Sequence, residues 1–190
     1  MKKLSPHATA YRFTSLLERS DNRLWGAHFL VPNHIAGRLI NGRSRRVVCT
    51  LNGSVNYQCA MLPHGNGSFV ITVNKKLRDR LNLSFGSEMD ISLAKDTSAY
   101  GLPLPGEFSE LLRQDPEGGA LFHDLTRGRQ RTLLYMIGSA KSSERRIERS
   151  MVIVNHLKSN GGRINYRLLY ESLKIHRHRT HRQQLRKQLP

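Results

Sequence analysis

Cysteine is scarce in this chain of 190 residues: Cys49 and Cys59 are the only two. Two thiols ten positions apart carry no zinc spacing and no disulfide framework, so neither metal staple nor multiple bridges can substitute for a hydrophobic core. Long apolar runs are also missing. The longest, "LLYMI" (133–137) and "MVIV" (151–154), fall far short of the roughly 20 residues that a membrane-spanning helix needs. After the basic opening "MKK" there is no continuous apolar stretch of the signal-peptide kind, so an unexported, cytoplasmic protein is expected. Acidic residues are few as well: 14 Asp and Glu stand against 31 Lys and Arg, a net charge of +17.

That charge is unevenly spread. From Arg127 onward there are 16 basic and 3 acidic residues, a net of +13, which leaves only +4 for the first 126. A basic segment of this kind attracts polyanions by long-range steering and counterion release. At 38% hydrophobic the chain still has enough apolar residues to bury a core.

The first hundred residues read as short strands. "AYRFTSLLE" (10–18) and "RLWGAHFLV" (23–31) flank the turn-forming "RSDN", and "PNHIAGRLI" (32–40) reads as one short helix. "RRVVCTL" (45–51) and "SVNYQCAML" (54–62) surround Asn52-Gly53, a strong hairpin signal. A two-residue loop there pairs Leu51 with Ser54, sets Cys49 opposite Asn56 and Cys59 opposite Arg46, and so turns the two thiols to opposite faces. "PHGNG" (63–67) is a second turn, "SFVITV" (68–73) a strand, and "NKKLRDRL" a short helix with Leu77 and Leu81 one turn apart. Past Gly86, "EMDISLA" (88–94) alternates Met89, Ile91 and Leu93 with polar residues, as a half-buried strand does.

A loop with Pro103 and Pro105 leaves this strand-rich part, and the period becomes helical. Helices are expected over 107–114, over 126–141 with Thr126 as N-cap, over 143–162 capped by Ser143, and over 164–175. In the third of these, Ile147, Met151, Val154 and Leu157 form the expected buried face. The expected organisation is a strand domain over 9–97, a linker with a short helix over 98–125, a helical region over 126–175 and a basic tail over 176–190.

The order "LWGAHFLVP", "GRSRRVVCTLNG", "MLPHGNGSFVITVNKKLRDRLNLSFGSEMDISLAKD" and "FHDLTRGRQRTLLYMIGSAKSSERRIERSMVIVNHL" resembles bacterial proteins that join a small uncharacterised β-domain to a YdeI/OmpD-associated helical segment. The likeness runs from about residue 9 to about residue 158. It implies an α+β fold, with an N-terminal double-split β-barrel of the AbrB-like type capped by short helices and followed by a C-terminal helical region. The family label implies a link to bacteriocin protection, and it brings no catalytic residues. The basic end after about Lys174 lies outside the likeness.

Neither a G-x-S-x-G elbow nor a phosphate-binding G-x-x-x-x-G-K-[ST] loop is present, and the carboxylates are mostly spread singly among cations. No enzyme activity and no cofactor are therefore expected. "HRHRTH" places His176, His178 and His181 among Arg177, Arg179 and Arg182, whose charge opposes a bound dication, so no metal site is expected. Two basic surfaces remain as candidate nucleic-acid contacts: Lys75, Lys76, Arg78 and Arg80, and a C-terminal set of Arg163, Arg167, Lys174, Arg177, Arg179, Arg182, Arg186 and Lys187. The expected function is polyanion binding, with nucleic acid as partner. The alternative is a protein-interaction or stress-protection module, and pairing into a homodimer is compatible with either.

Overall fold

The structure, a computed structural model, describes residues 9–20 and 26–175. Contacts divide the chain into two compact units, Met1–Gly101 and Leu102–Pro190.

Eight strands build the first unit: β1 (Ala10–Leu16), β2 (Glu18–Arg19), β3 (Ala27–Val31), β4 (Arg46–Leu51), β5 (Val55–Ala60), β6 (Leu62–Gly65), β7 (Ser68–Thr72) and β8 (Glu88–Lys95). They form two four-stranded antiparallel sheets, in the orders β1-β8-β4-β5 and β2-β3-β7-β6. Among the described residues the hydrogen-bonded ladders do not close into a ring, which departs from the closed barrel the resemblance implies. The chain instead passes from one sheet to the other at two corners. Leu17, between β1 and β2, and Met61, between β5 and β6, are each 1% exposed. At such a corner the backbone leaves one ladder and must be satisfied elsewhere. The Leu17 N–H donates to the Ser87 carbonyl at 2.8 Å, the Gly86 N–H donates to the Leu17 carbonyl at 2.8 Å, and the Met61 N–H donates to the Arg45 carbonyl at 2.9 Å.

Period-two alternation turns Val47, Cys49 and Leu51 of β4 and Met89, Ile91 and Leu93 of β8 into one core with Phe29, Val31 and Ile71 of the other sheet. Burying each such side chain favours folding by about 1.5–3 kcal/mol. Helix α1 (Asn33–Leu39) adds Ile35, Ala36 and Leu39 to that core. Helix α2 (Lys75–Leu81) starts where Asn74 Oδ1 accepts the Leu77 N–H at 3.0 Å and ends at Asn82, whose φ of 52° is left-handed. Its Leu77 and Leu81, with Leu83 beyond, pack against the core as the one-turn spacing suggests.

The first hairpin differs from expectation by one residue. Leu51 pairs with Val55, Cys49 with Tyr57 and Val47 with Cys59, so the loop has three residues. The Asn52 N–H donates to the Asp90 carbonyl and its Oδ1 accepts the Asp90 N–H, which holds Asn52 on the end of β8 and leaves Gly53 and Ser54 to turn. A one-residue slip reverses every facing. Cys49 and Cys59 are therefore diagonal neighbours on one face, both free thiols, with a side-chain hydrogen bond between them. That bond and burial push the Cys59 thiol up, and burial pushes the neighbouring Tyr57 hydroxyl up as well. The second turn is also tighter than expected, since β6 continues to Gly65 and leaves only Asn66 and Gly67 at the tip.

The second unit is helical: α3 (Gly106–Gln114), α4 (Pro116–Asp124), α5 (Arg127–Gly138), α6 (Ser143–Ser159) and α7, which is described over residues 166–175. Helix α6 packs against α3, α4 and α5. Phe108 and Phe122 meet edge to face at 4.9 Å between centroids in a core that includes Leu133, Ile137, Ile153, Leu157 and Leu169. Gln130, 1% exposed, donates from its amide to the carbonyls of Phe122 and His123 and so satisfies the end of α4.

Three local expectations change in this unit. Ser142, not Ser143, caps α6, its Oγ accepting the Arg145 N–H at 3.3 Å. Thr126 stands at the N-cap of α5 without a side-chain capping bond. The buried face of α6 runs through Ser150, Ile153, Val154 and Leu157, while Ile147 and Met151 are 46% and 51% exposed. Ser150 can occupy that seam because its hydroxyl donates to the Arg146 carbonyl at 2.6 Å, leaving a small side chain with no unmet polar group.

Candidate anion-binding site

An open cavity of about 550 Å³ lies between α5, α6 and α7. Each helix contributes residues one turn apart, which is how a helix presents a single face. From α5 and the turn after it come Thr132, Tyr135, Met136 and Ser139, followed by Ala140 and Lys141. Helix α6 contributes Arg145, Glu148 and Arg149, and α7 contributes Tyr170, Leu173 and Lys174.

Four cations thus meet one carboxylate. Arg145 donates to Glu148 at 2.8 Å. Arg149 donates to the Met136 carbonyl and, at 2.8 Å, to the Ser139 hydroxyl, so its guanidinium is fixed against the C-terminal end of α5. There it complements the negative end of the helix dipole. Lys141 and Lys174 are exposed. Two rings accompany them, Tyr135 at 69% and Tyr170 at 52% exposure. The arrangement can hold an anion by charge and a flat ring by stacking, and a cavity of this volume falls in the range of small-ligand sites.

The α7 side of the cavity depends on His156. Its Nε2 accepts the Asn165 N–H at 3.1 Å, and Asn165 Oδ1 accepts the Leu168 N–H at 3.2 Å at the start of α7. Burial lowers the His156 pKa below the ordinary imidazole range, in keeping with a neutral ring that serves as acceptor.

The residues singled out from sequence are placed unevenly. Lys75, Lys76 and Arg80 are exposed on α2, whereas Arg78 lies over the Phe85 ring at 5.3 Å, with Arg19 at 5.7 Å from the same ring. Arg163 is exposed just past α6, and Arg167 pairs with Glu171 on α7 at 3.3 Å. Lys174 alone of the expected set lines the cavity. Arg177, Arg179, Arg182, Arg186 and Lys187 lie outside the described residues, as do His176, His178 and His181. Lys141, Arg145, Arg149, Tyr135 and Tyr170 were not among the expected contacts; the one-turn spacing of Thr132, Tyr135 and Ser139 marks a shared face of α5 and carries no information about α6 or α7. No group of three potential metal ligands occurs among the described residues.

Residues 13–93 match a family described as a domain of unknown function (DUF1905). Residues 102–160 match the family described as bacteriocin-protection, YdeI or OmpD-associated. The chain joins a segment similar to each. The first match runs from β1 to β8, and the YdeI or OmpD-associated match covers α3 to α6. Tyr170, Leu173 and Lys174 therefore lie past the matched residues, so the cavity combines a family-matched wall with one supplied by α7. No curated protein matches the chain. No helix among the described residues is long and apolar enough to cross a membrane.

Proposed function

We propose that this is a non-enzymatic, cytoplasmic polyanion-binding protein and that nucleic acid is its partner. The observation that carries the reading is the convergence of Lys141, Arg145, Arg149 and Lys174 on one cavity with Glu148 as the single carboxylate. Phosphates are the anions such a site suits, because guanidinium and ammonium groups give charge-assisted hydrogen bonds to their oxygens. Contacts to phosphate carry no sequence information, so the expected binding is sequence-tolerant. The excess charge beyond Arg127 supports the reading by drawing a polyanion toward the same unit. In the β unit, the sheet-switching corners at Leu17 and Met61 support assignment to the double-split type, read as two sheets sharing a core.

A second reading, a partner-binding module of the bacteriocin-protection kind, draws support from the family description and from Ile147 and Met151. These two line a smaller groove with Glu144, Val152 and Asn155. Anisotropy titrations of labelled DNA and RNA at two salt concentrations separate the readings. Polyanion binding gives affinity that falls steeply with salt and drops when Lys141, Arg149 and Lys174 are changed to Gln. No binding at low salt rejects it. A chain ending at residue 175 measures the share contributed by the tail.

A further inference from the structure

We infer that the α5–α6–α7 cavity receives an unstacked nucleobase together with its phosphate, so that the protein takes single-stranded nucleic acid in preference to duplex. The inference rests on the polyanion reading and deepens it.

Duplex phosphates lie on a convex backbone, and flat or convex basic patches suffice to bind them. This site is concave, and its cations do not stand alone. Tyr135 on α5 and Tyr170 on α7 line the same cavity, and both residues are more than half exposed. Met136, Ala140 and Leu173 add apolar lining. An aromatic ring left this exposed forgoes the burial that core aromatics obtain, and two of them around one hollow form a surface that a flat apolar ligand would cover.

The charged groups have the complementary property. Arg149 is held by the Met136 carbonyl and the Ser139 hydroxyl, and Arg145 by Glu148, so both guanidiniums are ordered before any ligand arrives. Lys141 and Lys174 stand exposed beside them. Rings for a base and cations for its phosphate in one cavity match a nucleobase–phosphate unit. A base inside a duplex cannot reach them, because its faces are covered by its neighbours. A base in a single strand presents both faces, and aromatic stacking of this kind tolerates any base.

The source of that unit is a strand or a free nucleotide, and the two are separable. The full-length protein is titrated with a labelled oligothymidylate of about 12 nucleotides, within the range of single-strand site sizes, with a duplex of equal length, and with thymidine 5′-monophosphate as competitor. Tighter binding of the single strand, by about tenfold or more at equal salt, is expected, since loss of one stacked base costs roughly that much. Tyr135→Ala and Tyr170→Ala each weaken single-strand binding by between about five- and about a hundredfold and leave the salt slope unchanged. Tyr135→Phe and Tyr170→Phe, which retain the ring, bind as the unsubstituted chain does. Competition by the mononucleotide at concentrations near the oligonucleotide's own affinity assigns the site to free nucleotides, and weak competition assigns it to strands. Equal binding of duplex and single strand, with no effect of either alanine substitution, overturns the inference and leaves the polyanion reading intact. Absence of all binding at low salt overturns both.

Discussion

Gly118 offers the sharpest test of the packing in the helical unit. A Cβ placed on it would sit 2.4 Å from Val154 Cγ1 and 3.2 Å from the Asp115 carboxyl. Ordinary carbon–carbon contacts lie at about 3.5–4.0 Å, so the overlap is about 1 Å or more. Val154 has no easy escape, because a β-branched side chain in a helix has one strongly favoured rotamer, and this one is 2% exposed. Overpacking of this severity costs up to about 3 kcal/mol, whereas replacing a helical Gly by Ala returns at most about 1 kcal/mol. Gly118→Ala should therefore destabilise the unit by about 2 kcal/mol, roughly 8–16 °C in melting temperature for a unit of this size. Val154→Ala alone should cost about 2 kcal/mol through lost burial and a cavity. In the double variant the overlap is gone, the new methyl partly fills the hole and the propensity gain remains, so the expected cost is about 1 kcal/mol where simple addition gives about 4. Urea melts followed by far-UV circular dichroism measure all three. Additivity within about 0.5 kcal/mol, or a Gly118→Ala chain more stable than the original, would refute the close approach of α4 to α6.

Three further outcomes follow from individual contacts. The Arg146 guanidinium at 2.7 Å and the Ser143 hydroxyl at 2.8 Å hold Glu107 down to about 2. Its folded pKa lies below the unfolded value, so its contribution is present above about pH 4.5 and is lost as pH falls toward about 2. Glu107→Gln should thus lower the melting temperature at neutral pH, with the gap to the parent closing across that window; a gap that stays constant down to pH 2 contradicts the pairing. For His156, whose folded pKa is depressed, stability is full above the ordinary imidazole pKa and declines as acidification charges the ring and removes its acceptor for the Asn165 N–H. Amide exchange should show α7 losing protection as pH falls below the ordinary imidazole range, a loss absent if the tether is unimportant. Finally, Cys49 is fully buried and the Cys59 thiol is pushed up, so iodoacetamide should label both only after unfolding, and rapid labelling of native Cys59 would contradict the packed register.

How far the sequence revealed the molecule differs from element to element. Helix α2 was legible because every local signal agrees: an asparagine cap, leucines one turn apart, a left-handed Asn82 and a glycine before the next strand. The β4–β5 register was not legible, because it depends on Asn52 bonding to Asp90, a residue 38 positions away. Helix α4 falls in the expected linker because Gly118 and Gly119 are poor helix formers, although Asp115 Oδ1 accepts the Gly118 N–H and Pro116 stands in the first turn. Its two glycines serve packing: Gly119 lies against the Leu112 carbonyl as Gly118 lies against Val154. The face of α6 was misread because three helices pack around it, and a single periodic stripe cannot say which side carries Ser150 and which leaves Met151 outside. The cavity was illegible for the same reason, since it exists only once α5, α6 and α7 are placed together.

The most direct measurement of the central claim is the slope of the binding constant against salt for single-stranded DNA, compared between the full chain and a chain with Lys141, Arg149 and Lys174 changed to Gln. Each phosphate contact through the cavity contributes about 0.7 to that slope on a single strand. With one phosphate held in the cavity, the slope in the substituted chain is expected to be smaller in magnitude by about 0.7 or more, together with weaker binding at low salt. An unchanged slope and affinity would place the polyanion grip elsewhere and contradict the assignment of this cavity as the binding site.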